Sequence, residues 1–198
     1  MSVDFQALRT ATREAAEQAF AEVRGAHPDE HFYAFALYTD DGVMTVEPAA
    51  NTEEGFRRKV GDGRETNPAQ SNYYRWATAE WAYEAAGSEH FQAAYDLLNV
   101  PERYDGDGAE EAEEEDPDEA FEEDERFVAF KKQVIETMVE ALSRLDSEGF
   151  FGSGGVREEV TLFVSISDSD AAQEVENDSA RKLNPPAVYE RFAARYRV

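Results

Sequence analysis

The chain contains no cysteine, which excludes a disulfide framework, a thiol nucleophile, cysteine-ligated zinc and an iron–sulfur cluster. Lysine is nearly as scarce, with only Lys59, Lys131, Lys132 and Lys182. There are three histidines, His27, His31 and His90. Two of them lie four apart but straddle Pro28, so no helix face carries a His-x-x-x-His metal spacing. A structural or surface role is expected of each, and neither a metal nor a cofactor is expected. No run of about 18 apolar residues is present, so no membrane span is expected. The start, Met1-Ser2-Val3-Asp4-Phe5, has neither a basic opening nor an apolar signal core, and a cytoplasmic location is the expectation.

What is abundant is negative charge. The 198 residues carry 44 acidic against 19 basic side chains, a formal charge of −25. More than half of that excess lies between Pro101 and Arg126, where 15 Asp and Glu face two Arg. Such a surface repels nucleic acid and anionic membrane and favours a basic partner. Hydrophobic residues still make up 41% of the chain and aromatics 12%, enough for a packed core. One α+β domain over residues 1–198 is expected, with an acidic, flexible insertion at 101–125. The abundance of Arg and Ala over Lys fits a GC-rich bacterial source or a halophile, which composition does not separate.

Residues 4–24 show helical spacing of Phe5, Leu8, Ala15, Ala16, Ala19 and Val23, ended by Gly25 and Pro28. Residues 31–39 read as a central strand with two apolar faces, Phe32, Ala34, Ala36 and Tyr38 on one and Tyr33, Phe35 and Leu37 on the other. Asp40-Asp41-Gly42 reads as a tight turn, Val43–Glu47 as the strand that pairs back, and Pro48 as its stop. Asn51 or Thr52 is placed to cap a helix through about Val60. Residues 73–83 are ambiguous, and the aromatics favour a strand around Tyr74–Thr78. Ser88 is placed to cap a helix through Leu98. A long amphipathic helix is expected from Asp124 to Ser147, capped by Gly149. Strict alternation marks Glu159–Ser167 as the clearest strand, followed by helices over 171–182 and beyond Pro185-Pro186. The sum is an α+β fold with a mixed or antiparallel sheet of about four strands flanked by helices. At least one pair must be antiparallel, given the short connection after Thr39.

No motif identifies a catalytic residue. Asp105-Gly-Asp-Gly resembles the start of a calcium loop, but the required sixth-position Gly is Glu110, so a solvated acidic loop is the better reading. Gly149–Gly155 is phosphate-loop-like in composition only, since it follows a helix and lacks the Gly-Lys-Ser/Thr ending. Trp76, Glu80 and Trp81 form either an aromatic, acid-bearing binding patch or part of the core. Asp168 and Asp170 follow the best strand, a common ligand position. Asp170 is equally placed to cap the next helix. These five residues are the candidate partner-binding set.

Four segments carry a family resemblance: Phe32-Tyr-Ala-Phe-Ala-Leu-Tyr-Thr-Asp-Asp-Gly, Tyr74-Arg-Trp-Ala-Thr-Ala-Glu-Trp, Glu148-Gly-Phe-Phe-Gly and Val164-Ser-Ile-Ser-Asp-Ser-Asp. They are similar to the bacterial family known as domain of unknown function 4303, over nearly the whole chain, with the acidic stretch as an insertion. The resemblance implies an association with toxin–immunity gene neighbourhoods and no established activity. Three readings follow. The first is a binding protein of the immunity kind that neutralises a basic toxin. The second is a small-ligand protein or enzyme using Asp168, Asp170 and Glu80, and the third an acidic, salt-adapted protein of another role.

Overall fold

The computed structural model describes residues 3–61, 67–99 and 125–196. Its centre is a four-stranded mixed sheet in the order β3-β2-β1-β4, formed by β1 (Phe32–Asp40), β2 (Glu47–Thr52), β3 (Tyr83–Glu84) and β4 (Thr161–Ser167). β1 runs antiparallel to β2 and parallel to β4, and β2 runs antiparallel to β3. This is the expected α+β class.

The larger core lies on one face of the sheet. Helices α1 (Phe5–Ala26) and α5 (Glu125–Ser147) pack there with their predicted stripes, joined by α4 (Gln92–Leu98). Phe20, Phe35, Met138, Leu142 and Leu162 are fully enclosed, each stabilising by roughly 1.5–3 kcal/mol through burial. Asp4 caps α1 by accepting from the amides of Gln6 and Ala7 at 3.0 Å. Helices α2 (Glu53–Val60), α3 (Pro68–Trp76), α6 (Ala172–Leu183) and α7 (Pro186–Ala193) complete the chain. α3 and α7 supply Trp76 and Phe192 to a smaller aromatic cluster on the other face, with Tyr33, Trp81 and Phe163.

Several local expectations are corrected. The connection after β1 is longer than a tight hairpin. β2 starts at Glu47 and runs through Pro48 to Thr52, so Val43–Val46 form a loop rather than the second strand. Asp40 holds that loop, its carboxylate accepting from the amides of Met44 and Thr45. The positive φ falls on Val43, at 48°, and not on Gly42. Pro48 is tolerated because its missing N–H faces the β3 side, beyond the two residues that pair there, while its carbonyl on the same side accepts from the Ala85 amide at 2.9 Å.

A bulge between Phe32 and Ala34 turns Tyr33 to the face of Ala34 and Ala36 and leaves Phe32 stacked on Phe35 at 5.4 Å. The expected alternation is therefore broken at its first step. The segment 74–78 is not a strand. Asn67 accepts from the Gln70 amide at 2.8 Å and Pro68 occupies the first turn, so α3 runs to Trp76. A 3₁₀ turn over Thr78–Glu80 then leads to β3, which the sequence reading omitted.

Ser88 caps nothing. Gly87, at φ 83°, precedes a 3₁₀ turn that leads into α4. Asp170 does not cap α6 either, because the position before that helix is Ala171 and no side chain caps it. The acidic stretch from residue 100 to 124 lies outside the described residues.

Neither sheet edge offers a long unpaired strand. β3 is only two residues long. The outer edge of β4 is covered by α6, whose Ser179 Oγ accepts from the Val164 amide at 2.9 Å. Asn184, just beyond α6, accepts from the Leu162 amide at 2.9 Å and donates to the Leu162 carbonyl at 2.6 Å. These side chains take the place of a fifth strand and remove the unpaired edge.

Candidate functional site

The smaller face of the sheet is ordered in rows. Ala36 lies opposite both Ala49 and Phe163, and Tyr38 lies opposite both Glu47 and Ser165. Glu84 on β3 lies opposite Ala49, which places Glu84 and Glu47 diagonally on one face. The Tyr38 hydroxyl spans β2 and donates to Glu84 Oε1. On the far side, Ser165 Oγ donates to Glu176 Oε1 at 2.7 Å, and Glu176 Oε2 pairs with Arg195 at 2.7 Å. A polar row therefore crosses the sheet at the carboxyl ends of the parallel strands β1 and β4, where open α/β sheets place ligands.

Charge is compensated unevenly among the described carboxylates. Glu176 has Arg195, Glu53 has Arg75, Glu80 has Lys59, Asp146 has Arg157 and Glu30 has Arg58. Among the described residues Glu47 has no cation, and its Oε2 is buried without a hydrogen-bond partner. Burial and the neighbouring charge of Glu84 push the Glu47 carboxyl above its ordinary range. Burial, the hydrogen bond to Glu84 and the charges of Glu84 and Glu47 push the Tyr38 phenol up as well.

The sequence-predicted residues divide between two places. Trp81 is a core residue, 5% exposed, with its ring edge-on to Phe163 at 5.5 Å and its Nε1 donating to the Arg75 carbonyl at 3.0 Å. Trp76 is half-buried between Tyr33 and Phe192. The two Trp share a cluster despite their five-residue spacing because α3 ends at the first and the 3₁₀ turn redirects the chain to the second. Glu80 pairs with Lys59 at 2.5 Å and accepts from the exposed Tyr73 at 3.4 Å.

Asp168 and Asp170 are exposed beyond the end of β4, on the opposite side of the sheet from β3. Asp168 lies five residues past the Phe163 that Trp81 touches, about 16 Å along a strand. It adopts φ 56°, in the left-handed region that Asp tolerates. The structure does not bring these aspartates together with Glu80. The sequence reading missed Tyr38, Glu47 and Glu84 because their meeting depends on strand register.

For a metal, Glu22, Glu89 and His90 are the described group whose ligand atoms lie within 4.8 Å of one another. The His90 ring nitrogen that faces them is already hydrogen-bonded to Glu22 at 2.9 Å, which accounts for the grouping. No helix among the described residues is long and apolar enough to cross a membrane.

The chain belongs to the family described as domain of unknown function (DUF4303), whose model matches residues 8–185. No curated protein and no solved structure matches it.

Proposed function

We propose that this chain is a binding protein for a basic polypeptide, and that Glu47, Glu84 and Tyr38 form the socket for one lysine or arginine side chain of that partner. The observation that carries this reading is Glu47, a half-buried carboxylate beside a second carboxylate with no cation of its own, in a fold that pairs Glu53, Glu80 and Glu176 internally. A cationic side chain placed beside the exposed Glu84 and the half-buried Glu47 supplies the missing charge, and the half-buried Tyr38 ring gives its stem an apolar wall. The exposed Tyr73 and Tyr196, 48% and 43% accessible, are further candidate anchors for a partner. The formal charge of −25 steers a basic protein to it. An immunity protein that neutralises a basic toxin fits this chemistry, and bacterial, cytoplasmic action fits that role.

The test is a tagged pull-down from the source lysate at low and high salt, followed by affinity measurement on the captured partner. A single stoichiometric basic protein that Glu47→Gln and Glu84→Gln release, and whose toxicity co-expression of the wild type suppresses, is the expected result. Unchanged affinity in both variants removes the socket. A partner whose affinity ignores salt removes the steering.

A further inference from the structure

A cavity lies on the other face, at the opposite end of the strands. It is a cleft of about 580 Å³ between the end of α1, the start of β1 and the loop that leads from α5 to β4. That volume is in the range of small-molecule sites, roughly 300–1,000 Å³. Phe32, Phe35, Phe150 and Phe151 line it, and Phe32 and Phe150 are only partly covered. The rings form a connected bed, with Phe35 to Phe151 at 5.1 Å and Phe150 to Phe151 at 5.0 Å.

Two charged side chains line the cleft beside this bed. Arg24 gives one N–H to the Phe150 carbonyl at 2.6 Å and lies 5.3 Å from the Phe150 ring centre. Among the described residues no carboxylate pairs with it, so most of its donors are unspent. Glu159 is exposed, and its carboxylate has no partner among the described residues. The other ionisable groups of the cleft are engaged elsewhere: Glu30 accepts from Arg58, Thr52 and Tyr83, His31 pairs with Glu54, and the His27 ring lies against the Tyr83 ring at 4.5 Å. The cleft therefore offers one cation and one anion above an aromatic floor. A net anion is disfavoured by the charge of −25, and a net cation leaves Arg24 unmatched.

We infer that the cleft binds a free apolar α-amino acid, with its carboxylate on Arg24, its ammonium on Glu159 and its side chain on the phenylalanine bed. A peptide terminus shares part of this chemistry, but brings only one of the two charges. The inference is independent of the Glu47 socket.

Isothermal titration of the full chain with L-phenylalanine tests it, beside N-acetyl-L-phenylalanine as a peptide C-terminus and L-phenylalaninamide as an N-terminus. Saturable one-site binding of phenylalanine is expected, weakened about tenfold or more by loss of either ligand charge. Arg24→Gln and Glu159→Gln each weaken it by a similar factor with the melting temperature unchanged, and Glu159→Gln removes the preference over the N-acetyl compound. Glu47→Gln leaves it intact. Absence of binding by phenylalanine and leucine at millimolar concentration overturns the inference, as does binding that ignores both cleft variants. Equal binding of the N-acetyl compound by the wild type overturns the amino-acid assignment in favour of a peptide C-terminus.

Discussion

Asn184 pairs with Leu162 as a neighbouring strand residue would, its side-chain amide accepting from the Leu162 N–H at 2.9 Å and donating to the Leu162 carbonyl at 2.6 Å. One side chain thus closes part of the β4 edge. Asn184→Ala leaves two backbone groups of a buried strand without partners. The expected cost is about 2–4 kcal/mol, since each unsatisfied buried group costs roughly 1–3 kcal/mol. Urea unfolding of the variant checks this, and a loss under 0.5 kcal/mol would show that water replaces the amide.

Glu176 and Arg195 form the most enclosed ion pair described, with side chains 11% and 1% exposed. Arg195 also donates to Asn177 and to the Phe192 carbonyl. Glu176→Leu is expected to cost about 3–5 kcal/mol, because it strands a buried charge. Adding Arg195→Met recovers most of the loss, since an apolar pair of similar volume replaces two desolvated ions. Unfolding of the four members of this double-mutant cycle measures the coupling.

Glu30 accepts from Arg58 at 2.7 Å, Thr52 at 2.5 Å and Tyr83 at 2.7 Å. Burial acts to raise its pKa, but these three hydrogen bonds outweigh that and hold it at about 2. A carboxyl lowered in the folded state stabilises the fold above its unfolded pKa and loses that contribution as the pH falls through the folded value. Glu30→Gln is thus expected to destabilise by about 2 kcal/mol at pH 7. The difference shrinks from about pH 4.5 downward and is gone near pH 2, as thermal melts across that range will show.

Glu47 has the opposite sign. Its pKa is raised by burial and by Glu84, so its ionisation opposes folding. The penalty is absent below the unfolded carboxyl range and grows as the pH rises through the folded value. Glu47→Gln is expected to raise stability at pH 7 and to have no effect at pH 3, while weakening binding of the basic partner. More stable and less functional is the pattern of a residue kept for binding. A variant less stable at pH 7 would place Glu47 among the structural residues.

The α+β class, the stripes of α1 and α5 and the alternation of β4 are properties of nearest neighbours along the chain, and the sequence alone determined them. The charge of −25 is likewise a sum over residues that folding does not alter. The misreadings fall where local signals compete. The aromatics of Tyr74–Trp76 suggested a strand, yet the Asn67-Pro68 start outweighed them, and a capped first turn is the stronger local signal. Asp40-Asp41-Gly42 suggested a hairpin, but the Asp40 carboxylate organises a longer loop and moves β2 onward by four residues.

Tertiary structure alone decided the sites. Glu47 and Glu84 are 37 positions apart in sequence and meet only through the register of β2 with β3. The Phe32 bulge sends Tyr33 to one face and keeps Phe32 for the cleft on the other. A one-residue shift in pairing exchanges the faces of a strand, and long-range pairing sets that register. Composition carried the acidity of the protein, and register set Glu47 and Glu84 side by side with no cation between them among the described residues.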